Sequence, residues 1–168
     1  HMLEHMAFKG TDSRSAQDIA VEIESVGGHL NAYTSREHTA YFVRVLKEDL
    51  ALSVDILADI LQRSTFEEAE MARERAVVIQ EIGQSEDTPD DIIFDRLQEV
   101  SFPNQALGRS ILGPAEGVAA MGREVLFDFM AEHYTASRLL LCAAGAVDHD
   151  ALVAMAEAKF GNLRPGAH

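Results

Sequence analysis

His1-Met2-Leu3-Glu4-His5 sets two histidines four residues apart, and the long acidic run Glu74-Arg75-Ala76-Val77-Val78-Ile79-Gln80-Glu81 lies far downstream. On an α-helix, residues four apart stand one turn above each other, so His1 and His5 direct two imidazoles at one spot. Glu4, three residues after His1, reaches the rim of that spot without occupying it, where it can take a proton from a metal-bound water. A catalytic zinc uses three protein ligands and keeps a fourth position for water, whose pKa falls to about 7. The third ligand has to come from elsewhere. Glu74 and Glu81 are seven apart, nearly two helical turns, and return to one face. Glu81 is the candidate ligand, and Glu74 the group that supports a ligand histidine from behind.

The order H-x-x-E-H is the inverzincin signature, the reverse of the commoner H-E-x-x-H. Together with E-R-x-x-V-x-x-E, whose Glu81 falls seventy-six residues after His5, it resembles the pitrilysin (M16) family of zinc peptidases. Met6-Ala7-Phe8-Lys9-Gly10-Thr11, Leu30-Asn31-Ala32-Tyr33-Thr34-Ser35-Arg36-Glu37 and Leu107-Gly108-Arg109-Ser110-Ile111-Leu112-Gly113-Pro114 are similar to its processing-peptidase branch and that branch's bacterial relatives. The likeness runs over nearly the whole chain. It implies a zinc-dependent metalloendopeptidase, with one Zn2+ held by His1, His5 and Glu81 and with Glu4 as general base.

Other roles come from the resemblance alone. The segment matching Leu30-Asn31-Ala32-Tyr33 binds extended peptide along a strand edge, which makes Asn31 and Ala32 candidate substrate contacts. Phe8 resembles the aromatic wall of the pocket for the residue after the scissile bond; as an isolated phenylalanine it would be core. Asn31 alone could simply close a turn. Asp91 and Asp95, one helical turn apart, can clamp a guanidinium or form a solvated acidic face. The family match favours the clamp, and with it basic peptides or presequences as substrates.

The net charge of −14 argues against nucleic acid, whose phosphates would be repelled. Phe66 to Val100 holds eleven acidic residues against three arginines, so over half of the excess surrounds the candidate ligand and would draw a cationic substrate. At 47% apolar content, 168 residues can bury one substantial core, and length suggests a single domain over 1–168. Cys142 is the lone cysteine. It excludes an internal disulfide and reads as a packed thiol in a strand from Leu139 to Val147. No apolar run approaches the roughly 18 residues that span a bilayer. Length and composition favour an intracellular setting, bacterial cytoplasm or mitochondrial matrix, with the bacterial periplasm as the alternative. No targeting segment is visible, and one would lie upstream of a chain that begins inside a motif.

Local patterns predict an α+β fold, a mainly antiparallel sheet with helices packed on one face. Ser15-Ala16-Gln17-Asp18 is a capping box, with Ile19, Ile23 and Val26 behind it and Gly27-Gly28 as a stop. His29 to Thr34 and Thr39 to Leu46 form a hairpin about Ser35 to His38. Leu50, Val54, Leu57 and Leu61 mark a helix, as do patterns over Glu67 to Gln84, Asp90 to Val100, Glu124 to His133 and Asp150 to Phe160. His29 and His38 lie near the hairpin with no spacing that demands a role; His133, His149 and His168 read as surface residues.

The resemblance further implies strands of the same sheet before the H-x-x-E-H helix and a second homologous domain, neither within 1–168. A second M16 domain or subunit, or another copy of the chain, would complete such a unit. The alternatives to a peptidase are a non-catalytic M16-like assembly subunit and a peptide-binding module.

Overall fold

The computed structural model describes residues 1–166, so His168 lies outside the described residues. Among the described residues, eight α-helices and one hairpin follow in the order α1 (Met2–Ala7), α2 (Ala16–Ser25), β1 (His29–Thr34), β2 (Thr39–Arg44), α3 (Leu50–Gln62), α4 (Glu68–Asp87), α5 (Pro89–Ser101), α6 (Ala115–Ala120), α7 (Arg123–His133) and α8 (His149–Phe160). The strands pair antiparallel in the register Leu30↔Val43, Ala32↔Tyr41 and Thr34↔Thr39. These six point to the helices, while His29, Asn31, Tyr33, Phe42 and Arg44 face solvent. The α+β class with helices on one sheet face is therefore present, with a sheet of two strands among the described residues.

α2 begins where Ser15 accepts from the Asp18 amide and the Asp18 carboxylate accepts from the Ser15 amide, the reciprocal bonds of a capping box. Ile19 and Ile23 then pack with Ala7, Ile56, Ile60 and Leu61 beneath the hairpin residues Leu30, Tyr41 and Val43. A second cluster joins Met2, Leu3 and Met6 to Phe66, Met71, Val78, Ile82, Val118 and Leu126. α1 is the wedge between them. Its apolar side is buried in both clusters, so His1, Glu4 and His5 remain on its third side.

Two readings are corrected. The Leu139 to Val147 run is not a strand: Leu139 has extended dihedrals and touches the core, but Leu140 is 84% exposed and the run joins no ladder. Cys142 is accordingly exposed, not packed. An apolar strand needs a hydrogen-bonding neighbour, and β1 and β2, the strands among the described residues, pair only with each other. α6 is unforeseen, because six residues with Val118 alone buried carry too little periodicity.

Candidate metal centre

α1 and the middle of α4 pack against each other with their polar residues facing. Met71, Glu74, Val78 and Ile82 form the buried stripe of α4, and Glu81 stands at its margin. The Nε2 atoms of His1 and His5 lie 3.3 Å apart, and Glu81 Oε2 lies 3.6 Å from each. These are the residues among those described that bring three such donors within 4.8 Å of one another.

The donor set fits zinc. Tetrahedral bonds of about 2.0–2.2 Å to imidazole nitrogen and carboxylate oxygen put neighbouring donors about 3.3–3.6 Å apart. At 3.3 Å the two Nε2 atoms can also share a proton, and a metal ion that takes both lone pairs displaces it.

Glu74 explains which His5 nitrogen faces the site. An ionised carboxylate can only accept, so His5 Nδ1 donates to Glu74 Oε2 at 2.9 Å, and in the neutral ring Nε2 is the atom that carries the lone pair. Burial alone would raise the Glu74 carboxyl. The Lys9 ammonium, 2.6 Å from Oε1, and His5 outweigh burial and hold it below the ordinary glutamate range.

Glu4 stays outside the three-donor group. Its Oε2 accepts a hydrogen bond from the Thr34 hydroxyl at the end of β1, at 2.5 Å. Behind it Tyr41 and Tyr134 share a 3.0 Å hydrogen bond. Burial, then the neighbouring Tyr134, then the charge of Glu4 push the Tyr41 phenol up, so it is neutral at physiological pH.

The other candidates lie outside the three-donor group. Phe8 closes α1 and packs its ring 6.3 Å from that of Tyr41, within the cluster beneath the hairpin. Asn31 is exposed on β1, and its side-chain oxygen accepts from the Ala32 amide at 2.8 Å. Asp91 is exposed in the first turn of α5. Asp95, one turn on, takes a 2.6 Å ion pair from Arg36 in the hairpin turn. The acidic pair is thus already half engaged by the chain's own guanidinium.

Sequence reading missed Lys9 and Thr34 beside the centre, the Tyr41–Tyr134 pair behind Glu4, and Arg36 at the Asp95 carboxylate. Lys9 had a usable signal, four residues after His5 on a helical path. Thr34 and Arg36 had none, because their partners are 30 and 59 residues away.

Comparison with known proteins adds the lineage. A family model described as Insulinase (Peptidase family M16) matches residues 1–115, and one described as Peptidase M16 inactive domain matches residues 120–167. The human mitochondrial-processing peptidase subunit beta is 48% identical over 162 residues, which is 96% of this chain and 33% of that protein. A zinc protease of Rickettsia felis is 46% identical over 166 residues, 99% of this chain and 40% of that one. The chain thus spans about a third of the length of the curated relatives it matches.

Among solved structures, a Helicobacter pylori protease superimposes over the whole chain and 41% of its own, with a TM-score of 0.92 at 22% identity. The periplasmic protease PqqL from Escherichia coli gives 0.85 at 23%, over the whole chain and 20% of its own. At such identities the likeness speaks to fold alone. The match to the insulinase model covers most of the sequence and includes each of His1, Glu4, His5, Glu74 and Glu81, so the chain belongs to the M16 peptidase family.

Proposed function

We propose that this chain is the metal-binding part of a zinc-dependent metalloendopeptidase that cuts extended, basic peptides or presequences. The observation that carries the reading is the meeting of His1 Nε2, His5 Nε2 and a Glu81 oxygen within 3.6 Å, with Glu4 on the same side of α1 but outside the group. Bound there, a single zinc ion would lower the pKa of water and polarise the scissile carbonyl. Glu4 takes the proton of the attacking water and returns it to the leaving nitrogen. Thr34 holds the Glu4 carboxylate by one oxygen while it does so.

The open edge of β1 offers backbone groups to a peptide, with Asn31 and Ala32 in reach and Phe8 beside the position after the cut. Asp91 takes a substrate arginine, and Asp95 joins it when Arg36 lets go. The acidic stretch from Phe66 to Val100 adds long-range attraction for such a peptide. A second M16 domain or subunit, or another copy, closes over the substrate; the relatives' threefold greater length supports that part. Relatives named as mitochondrial support an intracellular setting, with the bacterial periplasm as the alternative.

The test is cleavage of an arginine-bearing peptide by the intact protein, with and without a chelator, alongside elemental analysis. One zinc per chain and chelator-sensitive cleavage are expected. Cleavage that survives metal removal would defeat the proposal, and zinc binding with no cleavage at all would favour the peptide-binding alternative. Glu81→Gln should lower zinc content severalfold, and unchanged stoichiometry would take Glu81 off the ligand list.

A further inference from the structure

Lys9 follows His5 by four residues, just past the end of α1, and so comes round to the side that carries the two histidines. Its Nζ lies 2.6 Å from Glu74 Oε1, while the other oxygen of that carboxylate accepts from His5 Nδ1 at 2.9 Å. Glu74 is 6% exposed. A carboxylate with so little water needs both oxygens satisfied and a compensating charge; His5 satisfies Oε2, and Lys9 satisfies Oε1 and supplies the charge.

The geometry has a directional result. With Oε1 tied to Lys9, the carboxylate is restrained from swinging about its terminal bond, which favours keeping Oε2 aimed at His5 Nδ1. The His5 ring is thereby held with Nδ1 toward Glu74 and Nε2 toward the site, 3.3 Å from His1 and 3.6 Å from Glu81. His1 has no such brace, because its Nδ1 is buried without a hydrogen-bond partner among the described residues. The preorganisation of the centre is therefore concentrated in one line, Lys9 to Glu74 to His5.

We infer that Lys9 is a positioning residue for the metal: acting through Glu74, it fixes the orientation of the His5 ring and so sets how tightly a divalent ion is held. The inference rests on the metal-site reading proposed above. It is tested by zinc affinity, measured on the intact protein by competition with a chromophoric chelator, in the parent, Lys9→Met, Lys9→Arg, Glu74→Gln and the double variant Lys9→Met/Glu74→Gln.

Groups behind a metal ligand are worth about 10–100-fold in affinity, so Lys9→Met is expected to weaken zinc about tenfold, and Lys9→Arg, which keeps charge and donors, by less than about threefold. The double variant is expected to bind no more weakly than Glu74→Gln alone, because Lys9 has no other route to the ion. Parent-like affinity in Lys9→Met overturns the inference. So does a double variant that shows the full product of the two single losses, the pattern of a lysine that merely stabilises the fold. Should Lys9→Met lack a folded near-ultraviolet spectrum, Lys9→Gln, of similar reach and neutral, takes its place under the same expectation. A parent that binds no zinc refutes the metal site itself, whereas a zinc-binding parent with an indifferent Lys9 refutes only this step.

Discussion

Phe66 has a left-handed backbone, φ 48°, yet only 1% of it is exposed. That conformation costs a non-glycine residue about 1–3 kcal/mol, so the ring must repay it by packing. It meets Phe127 at 4.9 Å, and Arg123 lies over that second ring and donates to the Thr65 carbonyl. Phe66→Ala is therefore expected to lose about 3–5 kcal/mol in urea unfolding, and a midpoint equal to the parent's would show that the ring is dispensable. Nothing in Arg63-Ser64-Thr65-Phe66 announces this turn, since it holds neither glycine nor asparagine. Glu4 makes the opposite case, a residue whose position is legible from spacing within one helix. Glu4→Gln should keep full zinc while cutting kcat by about 10²–10⁴-fold, the usual contribution of a general base. Normal turnover in that variant would take the role away from Glu4.

Helices with strong local signals are the elements that could be read in advance. Ser15-Ala16-Gln17-Asp18 starts α2 because both halves of its capping box are present, and Ser15→Ala should cost about 1 kcal/mol of stability by thermal melting. The stripe from Leu50 to Leu61 gives α3, and α4 runs three residues beyond its expected end at Gln84. Leu139 to Val147 fails for a reason that lies outside the segment, since an apolar run becomes a strand only when another backbone is there to pair with it. The candidate centre divides the same way. The facing of His1 and His5, and of Glu74 and Glu81, follows from helical period, whereas the approach of α1 to α4 is a tertiary fact that the family likeness alone anticipated. Nor could spacing foresee that Arg36 would reach from the hairpin turn to Asp95 on α5. Because Asp95 is engaged and Asp91 has no ion-pair partner among the described residues, Asp91→Asn should raise KM for arginine-bearing peptides the more, by about two- to fivefold as for other exposed charge pairs. An effect confined to Asp95→Asn would assign the substrate contact to the other carboxylate.

Across the whole molecule, acid is the expected weak point. Asp59, fully buried on α3, accepts from Thr11, Ser13, Arg14 and Arg63. Burial would raise its carboxyl, but these donors prevail and hold it low; Asp55, beside Arg14 and Lys159, is held low in the same way, as is Glu74. Each folded-state value lies below its unfolded one, so the stabilisation is complete above the ordinary carboxylate range of about 4 and fades as pH drops through the lower folded values. Thermal midpoints should therefore hold steady from pH 7 to about 5 and decline below about 4. Asp59→Asn should flatten that decline while lowering stability at pH 7 by about 3 kcal/mol, since Arg14 and Arg63 lose their shared anion. An unchanged acid limb in this variant would point to other groups. The side chain of Asn31, closed on the Ala32 amide, bears on a different hazard. A hairpin that pairs only within itself, as this one does among the described residues, invites stray β-pairing between molecules and, in time, fibrils. Here any newcomer that seeks this amide has first to evict a carboxamide, so casual zippering is discouraged while a peptide held by several contacts at once can still afford the exchange.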